Sequence, residues 1–147
     1  MYKHILIPTD GSELSQKAIE AGVEFARESQ ARVTAFTAVP EYPLPSEAEL
    51  MSRRAVSREQ YESLAKKQAE GALQQVAERA RAAGVDFDAD YALSDQPYDA
   101  MIRAAEKHGC DLIFMASHGR RGLSALIHGS QTQGVLTHST IPTLVYR

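Results

Sequence analysis

The sequence predicts an open parallel α/β fold: one domain over residues 1–147, with five parallel strands alternating with helices that cover both faces of the sheet. Three observations predict it. Short apolar runs are each handed over to a helical pattern, with no internal repeat and no low-complexity segment. A length of 147 residues with 44% hydrophobic content suits one ordinary core and is too short for two. A glycine-bearing basic stretch, from Ala116 to Ser130, lies between an apolar strand and a short helix, where such folds hold ligands.

The first strand is read from His4 to Thr9, ended by Asp10-Gly11-Ser12. A helix follows with Ala18, Ile19, Gly22, Val23 and Ala26 on one face. Ser12 is its expected N-cap and Ser15 the alternative, because a Ser hydroxyl accepts from the unpaired N–H groups of a first turn. Ala31 to Val39 is the second strand, and the proline-rich Pro40 to Pro45 is a loop. From Ser46 to Ala83 the chain favours one long or broken helix, stopped by Gly84, with Leu64, Ala72, Leu73 and Val76 toward the sheet. The seven basic and four acidic residues between Arg53 and Arg81 are expected on its solvated face.

Val85 to Leu93 alternates apolar residues with Asp86, Asp88 and Asp90, as an edge strand with one wet face would. Tyr98 to His108 is helical, with Pro97 near its first turn and Gly109 as its stop. Asp111 to Met115 is the fourth strand, Gln131 to His138 the last helix, and Thr143 to Tyr146 the last strand.

Charge and cysteine content narrow the class. A net charge of −3 argues against nucleic-acid or membrane-surface binding. No apolar run reaches the roughly 20 residues that cross a bilayer. The single Cys110 excludes an internal disulfide and fits a reducing compartment, and Met-Tyr-Lys-His is no signal peptide, so a cytoplasmic location is expected. Cys110, with no second cysteine to resolve an oxidised thiol, reads as core packing rather than a redox centre.

The net charge conceals an asymmetry. None of the 19 Asp and Glu falls after Asp111, leaving His118, Arg120, Arg121, His128, His138 and Arg147 without local carboxylates. A helix starting at Gly129-Ser130 would point its unpaired N–H groups and positive dipole end at an anion, most naturally a phosphate. The rule that ligands sit outside the carboxyl ends of strands gathers Pro8, Thr9 and Asp10 from strand one, Ala38 and Val39 from strand two, and Met115 and Ala116 from strand four. His118, Gly119, Arg120, Gly129, Ser130, Gln131 and Thr132 complete the candidate nucleotide site, with Asp10 at the nucleoside end and the glycines at the phosphates.

Several familiar signatures are missing. No G-x-G-x-x-G follows the first strand, and Val135 and Leu136 stand where a P-loop spaced on Gly129 and Gly134 needs Lys and Ser or Thr. His118 and His128 have no neighbouring Cys, Asp or Glu to complete a metal set, and no G-x-S-x-G elbow presents a nucleophile.

Ala116-x2-Gly119-x9-Gly129-Ser130 resembles the G-x2-G-x9-G-S/T pattern of the nucleotide-binding universal stress proteins, with alanine at the first glycine. Lys3 to Ser12 and Ile141 to Tyr146 resemble that family's first and last strands, so the likeness spans nearly the whole chain. It implies a Rossmann-like fold of the adenine nucleotide alpha hydrolase kind, with strand order 3-2-1-4-5. Asp10 and Ala38 would line adenosine, Ala116 the ribose, and Gly119, Gly129, Ser130 and Gln131 the phosphates. The resemblance also implies ATP or another adenine nucleotide with Mg²⁺, a homodimer paired through Thr143–Tyr146, and a stress-response sensor read by another, unknown protein. Crowding by the Ala116 methyl would cost about 1 kcal/mol. Two alternatives stand beside the sensor: slow ATP hydrolysis or autophosphorylation at Ser130, and a nucleotide-free dimeric scaffold.

Overall fold

The computed structural model describes residues 1–117 and 129–147. Five strands, β1 (His4–Pro8), β2 (Arg32–Val39), β3 (Phe87–Leu93), β4 (Leu112–Ala116) and β5 (Thr143–Tyr146), form one parallel sheet in the order β3-β2-β1-β4-β5. The fold class and strand order expected from the sequence are therefore those of the molecule, with β3 at an edge.

The helices are α1 (Gln16–Ser29), α2 (Glu47–Met51), α3 (Arg58–Ala83), α4 (Pro97–His108) and α5 (Gly129–His138). Alternating strand residues feed two cores. Ile5, Ile7, Val33, Ala35 and Phe114 pack with Ile19, Val23 and Ala26 of α1 and Leu73, Val76 and Ala80 of α3. Leu6, Phe36, Ile113 and Met115 pack on the opposite face with Met101, Ala104 and Ala105 of α4 and Val135 of α5. Each fully buried Ile, Leu or Val contributes about 1.5–3 kcal/mol relative to exposure, so both faces help to hold the sheet.

The stretch from Ser46 to Ala83 is a broken helix. Ser46 and Ser57 each head a capping box, with Glu49 and Gln60 at the third helical position, so the chain starts a helix twice. Leu64, expected toward the sheet, is 60% exposed, whereas Ala72, Leu73 and Val76 are buried as expected. The buried stripe of α3 runs through Ala65, Ala69, Ala72, Val76 and Ala80; these small residues let the helix lie close to the sheet and turn Leu64 outward.

Three helices end alike. Gln30, Gly84 and Gly109 adopt left-handed backbone, and the following Ala31, Val85 and Cys110 donate N–H bonds back to Ala26, Ala80 and Ala105 while burying their side chains. Val85 therefore closes α3 rather than opening β3. Cys110 is packing, as read from the sequence, and burial pushes its thiol up to about 11.

The strands are added outward from β1 to β3 on one side and from β4 to β5 on the other, so the order reverses between β1 and β4, with α1 and α3 on one face and α4 and α5 on the other. The crevice outside the carboxyl ends of those strands is where such sheets take ligands. Among the described residues, no helix is long and apolar enough to cross a membrane.

Candidate nucleotide site

The end of β1 is rigidly drawn. Pro8 is its last residue and is buried, and Thr9, fully buried, donates its N–H to the Phe36 carbonyl at 2.8 Å. The Thr9 hydroxyl accepts from the Gly11 N–H at 3.1 Å. Gly11 has φ +78°, a left-handed conformation that admits glycine most readily, and a Cβ there would lie 3.1 Å from that of Ala72. Its carbonyl accepts from Gln75 Nε2 at 3.1 Å, and Gln75 in turn accepts from Gln16 Nε2 at 2.5 Å.

This turn aims Asp10. Its Oδ1 accepts from the Ser12 N–H at 2.9 Å, an Asx turn, and from the Ser15 hydroxyl at 2.8 Å. The Ser12 and Ser15 hydroxyls lie 3.0 Å apart. Neither serine makes the side-chain cap expected of it; Ser12 heads a one-turn 3₁₀ helix and Ser15 precedes α1, but Ser15 holds the carboxylate instead. A carboxylate oriented by short donors, half-buried at a strand end, is suited to accept from amino or hydroxyl groups of a ligand.

The other strand ends bring apolar walls. Ala38 and Val39 finish β2 and are buried, as are Met115 and Ala116 at the end of β4. Ala116, 5% exposed, pairs in register with Tyr146 and belongs to the core under α4 and α5.

Gly129, Ser130, Gln131 and Thr132 form the first turn of α5, which holds no acidic residue. Ser130 is exposed. Among the described residues, the Thr132 hydroxyl oxygen is buried without a hydrogen-bond partner, an arrangement costing about 1–3 kcal/mol unless a ligand or water supplies one. An anion at this helix end fits that orphan and the unopposed dipole.

The Gln131 side chain reaches across to α4. Its Oε1 accepts the Tyr98 N–H at 2.9 Å, so the side-chain oxygen caps α4 rather than facing the helix end. His118, Gly119 and Arg120, together with Arg121 and His128, lie outside the described residues. Of the other basic residues in this third, His138 donates from Nδ1 to the Gly134 carbonyl at 2.9 Å and Arg147 is exposed. Among the described residues, no group of three or more His, Cys, Asp or Glu is placed to hold a metal ion.

Sequence reasoning named Ser15 only as a helix cap, and missed Gln16 and Gln75, which join it in bracing the Asp10 turn, and Tyr98. The signal for Tyr98 was Gly134, a glycine inside a short helix. A Cβ at Gly134 would meet the Tyr98 ring at 2.5 Å, so the position must be bare for the ring to lie there.

The family model for the universal stress protein family matches residues 1–147. The chain belongs to that family. Universal stress protein MJ0531 of Methanocaldococcus jannaschii is 33% identical over 150 residues, covering all of this chain and 83% of the relative. The solved structure of protein MJ0577, reported as a structure-based assignment of biochemical function, is 27% identical with a TM-score of 0.76, covering 99% of this chain and 95% of that one. A universal stress protein solved in complex with cAMP is 22% identical with a TM-score of 0.64, covering 99% and 97%, a likeness of fold. This universal stress protein carries its oriented Asp10 carboxylate and the acid-free first turn of α5 at the carboxyl ends of the strands.

Proposed function

We propose that this universal stress protein binds an adenine nucleotide, ATP with its Mg²⁺, and acts as a nucleotide-dependent stress-response sensor in the cytoplasm. The acid-free first turn of α5, with the orphaned Thr132 hydroxyl, carries the reading. Asp10 and Ala38 line the adenosine, with Pro8, Thr9, Val39 and Met115 as walls, and Ala116 meets the ribose through its backbone. Gly119, Gly129 and Ser130 hold the phosphates, joined by the backbone N–H of Gln131, by Thr132, and by His118 and Arg120 of the glycine loop. Mg²⁺ enters on the phosphates and needs no dedicated protein ligand set. The cAMP complex of a protein with this fold supports the choice of an adenine nucleotide.

The output surface follows from β5. It is an edge strand, and its outer N–H and C=O groups are a ready template for the same strand of a second copy. On its other side β5 pairs with β4, whose end borders the site, so a homodimer through Thr143–Tyr146 would set the second copy one strand away from the nucleotide.

Gly129→Val tests the site. Its side chain bars close approach of a phosphate to the helix end, and ATP affinity should fall at least tenfold by calorimetry with the fold retained by circular dichroism. Unchanged affinity would remove the α5 end from the site.

A further inference from the structure

The N-terminus of α4 is finished by a residue from another helix. Its N-cap residue, Gln96, makes no side-chain cap, and the N–H groups of Asp99 and Ala100 both turn back to the Gln96 carbonyl. The Tyr98 N–H, one of the donors a helix start leaves over, goes to Gln131 Oε1 in the first turn of α5. Two further contacts fasten the same pair of helices. The Tyr98 ring lies against bare Gly134 and stacks on His138, with centroids 5.2 Å apart and planes 27° from parallel. His138 is itself fixed by its bond to the Gly134 carbonyl, so ring, glycine and imidazole form one unit.

The turn before α4 is tied to the other end of the crevice. Ser94 donates its N–H to the Val39 carbonyl at 2.8 Å, and its hydroxyl accepts from the Gln96 N–H at 3.1 Å. Hydrogen bonds at both ends, joined by the chain itself through residues 94–98, therefore connect the end of β2 to the side chain that follows Ser130.

From this we infer that Gln131 is a positioning residue: by clamping Tyr98 it sets where the first turn of α5 stands, and so how well that turn holds the nucleotide's phosphates. The inference rests on the nucleotide reading above and deepens it. Binding and clamping are then linked, since a ligand that favours the clamped α5 must tighten the clamp by the same factor. The nucleoside, held at the ends of β1 and β2, gains nothing from the clamp.

The test uses Gln131→Met, similar in size and lacking the acceptor, and Gln131→Glu, which keeps one. ATP·Mg²⁺ and adenosine are titrated into nucleotide-stripped wild type and Gln131→Met, and exchange of the Tyr98 amide is followed with and without ATP. The expected result is a roughly tenfold loss of ATP affinity in Gln131→Met with adenosine affinity unchanged. Tyr98 exchange should be slowed by ATP in the wild type, fast in Gln131→Met, and slow again without nucleotide in Gln131→Glu. Equal ATP affinity in wild type and Gln131→Met, or equal losses for ATP and adenosine, would overturn the inference; the second would mark Gln131 as structural only. A wild type that binds neither ligand would instead bring down the nucleotide reading, and the clamp's ligand role with it.

Discussion

The two ends of the sheet hold carboxylates in different ways. At the amino ends of the strands, Asp111 accepts the N–H groups of Lys3 and His4 and Asp88 pairs with Arg32, while Asp90, in the middle of the edge strand β3, takes both His108 and Lys107. Those contacts tie strands and helices to one another, and the charges are answered from within the fold. At the carboxyl ends, Asp10 is aimed by a serine hydroxyl and a backbone N–H, and the first turn of α5 presents donors and an orphaned hydroxyl with no acid beside them. One end is built for stability, the other for a ligand carrying both donors and negative charge.

The largest effect should come from Asp10→Ala. Loss of a charged acceptor for the ligand should weaken ATP binding by about 2 kcal/mol, roughly thirty-fold, measured by calorimetry. Wild-type affinity in this variant would place Asp10 with the structural carboxylates. Asp111→Ala should do the reverse. Removing an acceptor that joins the start of β1 to β4 should cost about 1–2 kcal/mol in urea unfolding and leave ATP affinity alone; a change in affinity would blur the division between the ends.

Acid should weaken the carboxylates that are answered from within the fold. Burial alone would raise the Asp90 pKa, but hydrogen bonds from His108, Lys107 and the Tyr91 N–H outweigh it and hold the carboxyl below its usual 3.8. Asp111 is held below 3.8 likewise, its backbone N–H bonds outweighing burial. A carboxyl depressed in the folded state binds fewer protons there than in the unfolded chain. Its stabilisation is present above about 3.8 and is lost as pH falls through the folded value. Asp90→Asn should flatten that part of the stability curve, and an unaltered slope would show that the His108 and Lys107 bonds carry no net charge effect.

His4 should give the smallest change. Burial first, and then the Arg32 charge, lower its pKa below 6.5, so folding favours the neutral ring that bonds the Thr34 hydroxyl at 2.7 Å. The unfolded chain therefore binds more protons as pH falls below 6.5, and stability declines from there through the folded pKa. His4→Gln should remove this shallow slope, read from urea midpoints between pH 7 and 5.

Much of the fold was legible because its strands are dense in buried β-branched residues and its stops are glycines. Ala18, Ile19, Val23 and Ala26 were assigned to the buried face of α1 and lie there. Leu64 misled because hydrophobicity was read residue by residue, whereas α3 buries an alanine stripe one position over, chosen for close approach rather than for apolar area. The break at Ser57 carried its own sign, a serine three residues before Gln60, which composition alone passes over. For the site, strand-end logic brought Asp10, Ala38 and Ala116 to the same end of the sheet. Side-chain commitments were not legible: Ser15 on Asp10 and Gln131 on Tyr98 join residues whose proximity only the packed helices create.

The most direct test of the claim that the carboxyl end is a nucleotide site is a titration of nucleotide-stripped protein with ATP and Mg²⁺ by calorimetry. Saturable binding with a Kd near or below roughly 100 μM, about −5.5 kcal/mol or tighter, is the predicted result. No heat at either of two temperatures would contradict it and leave the acid-free helix end and the oriented Asp10 as parts of a scaffold.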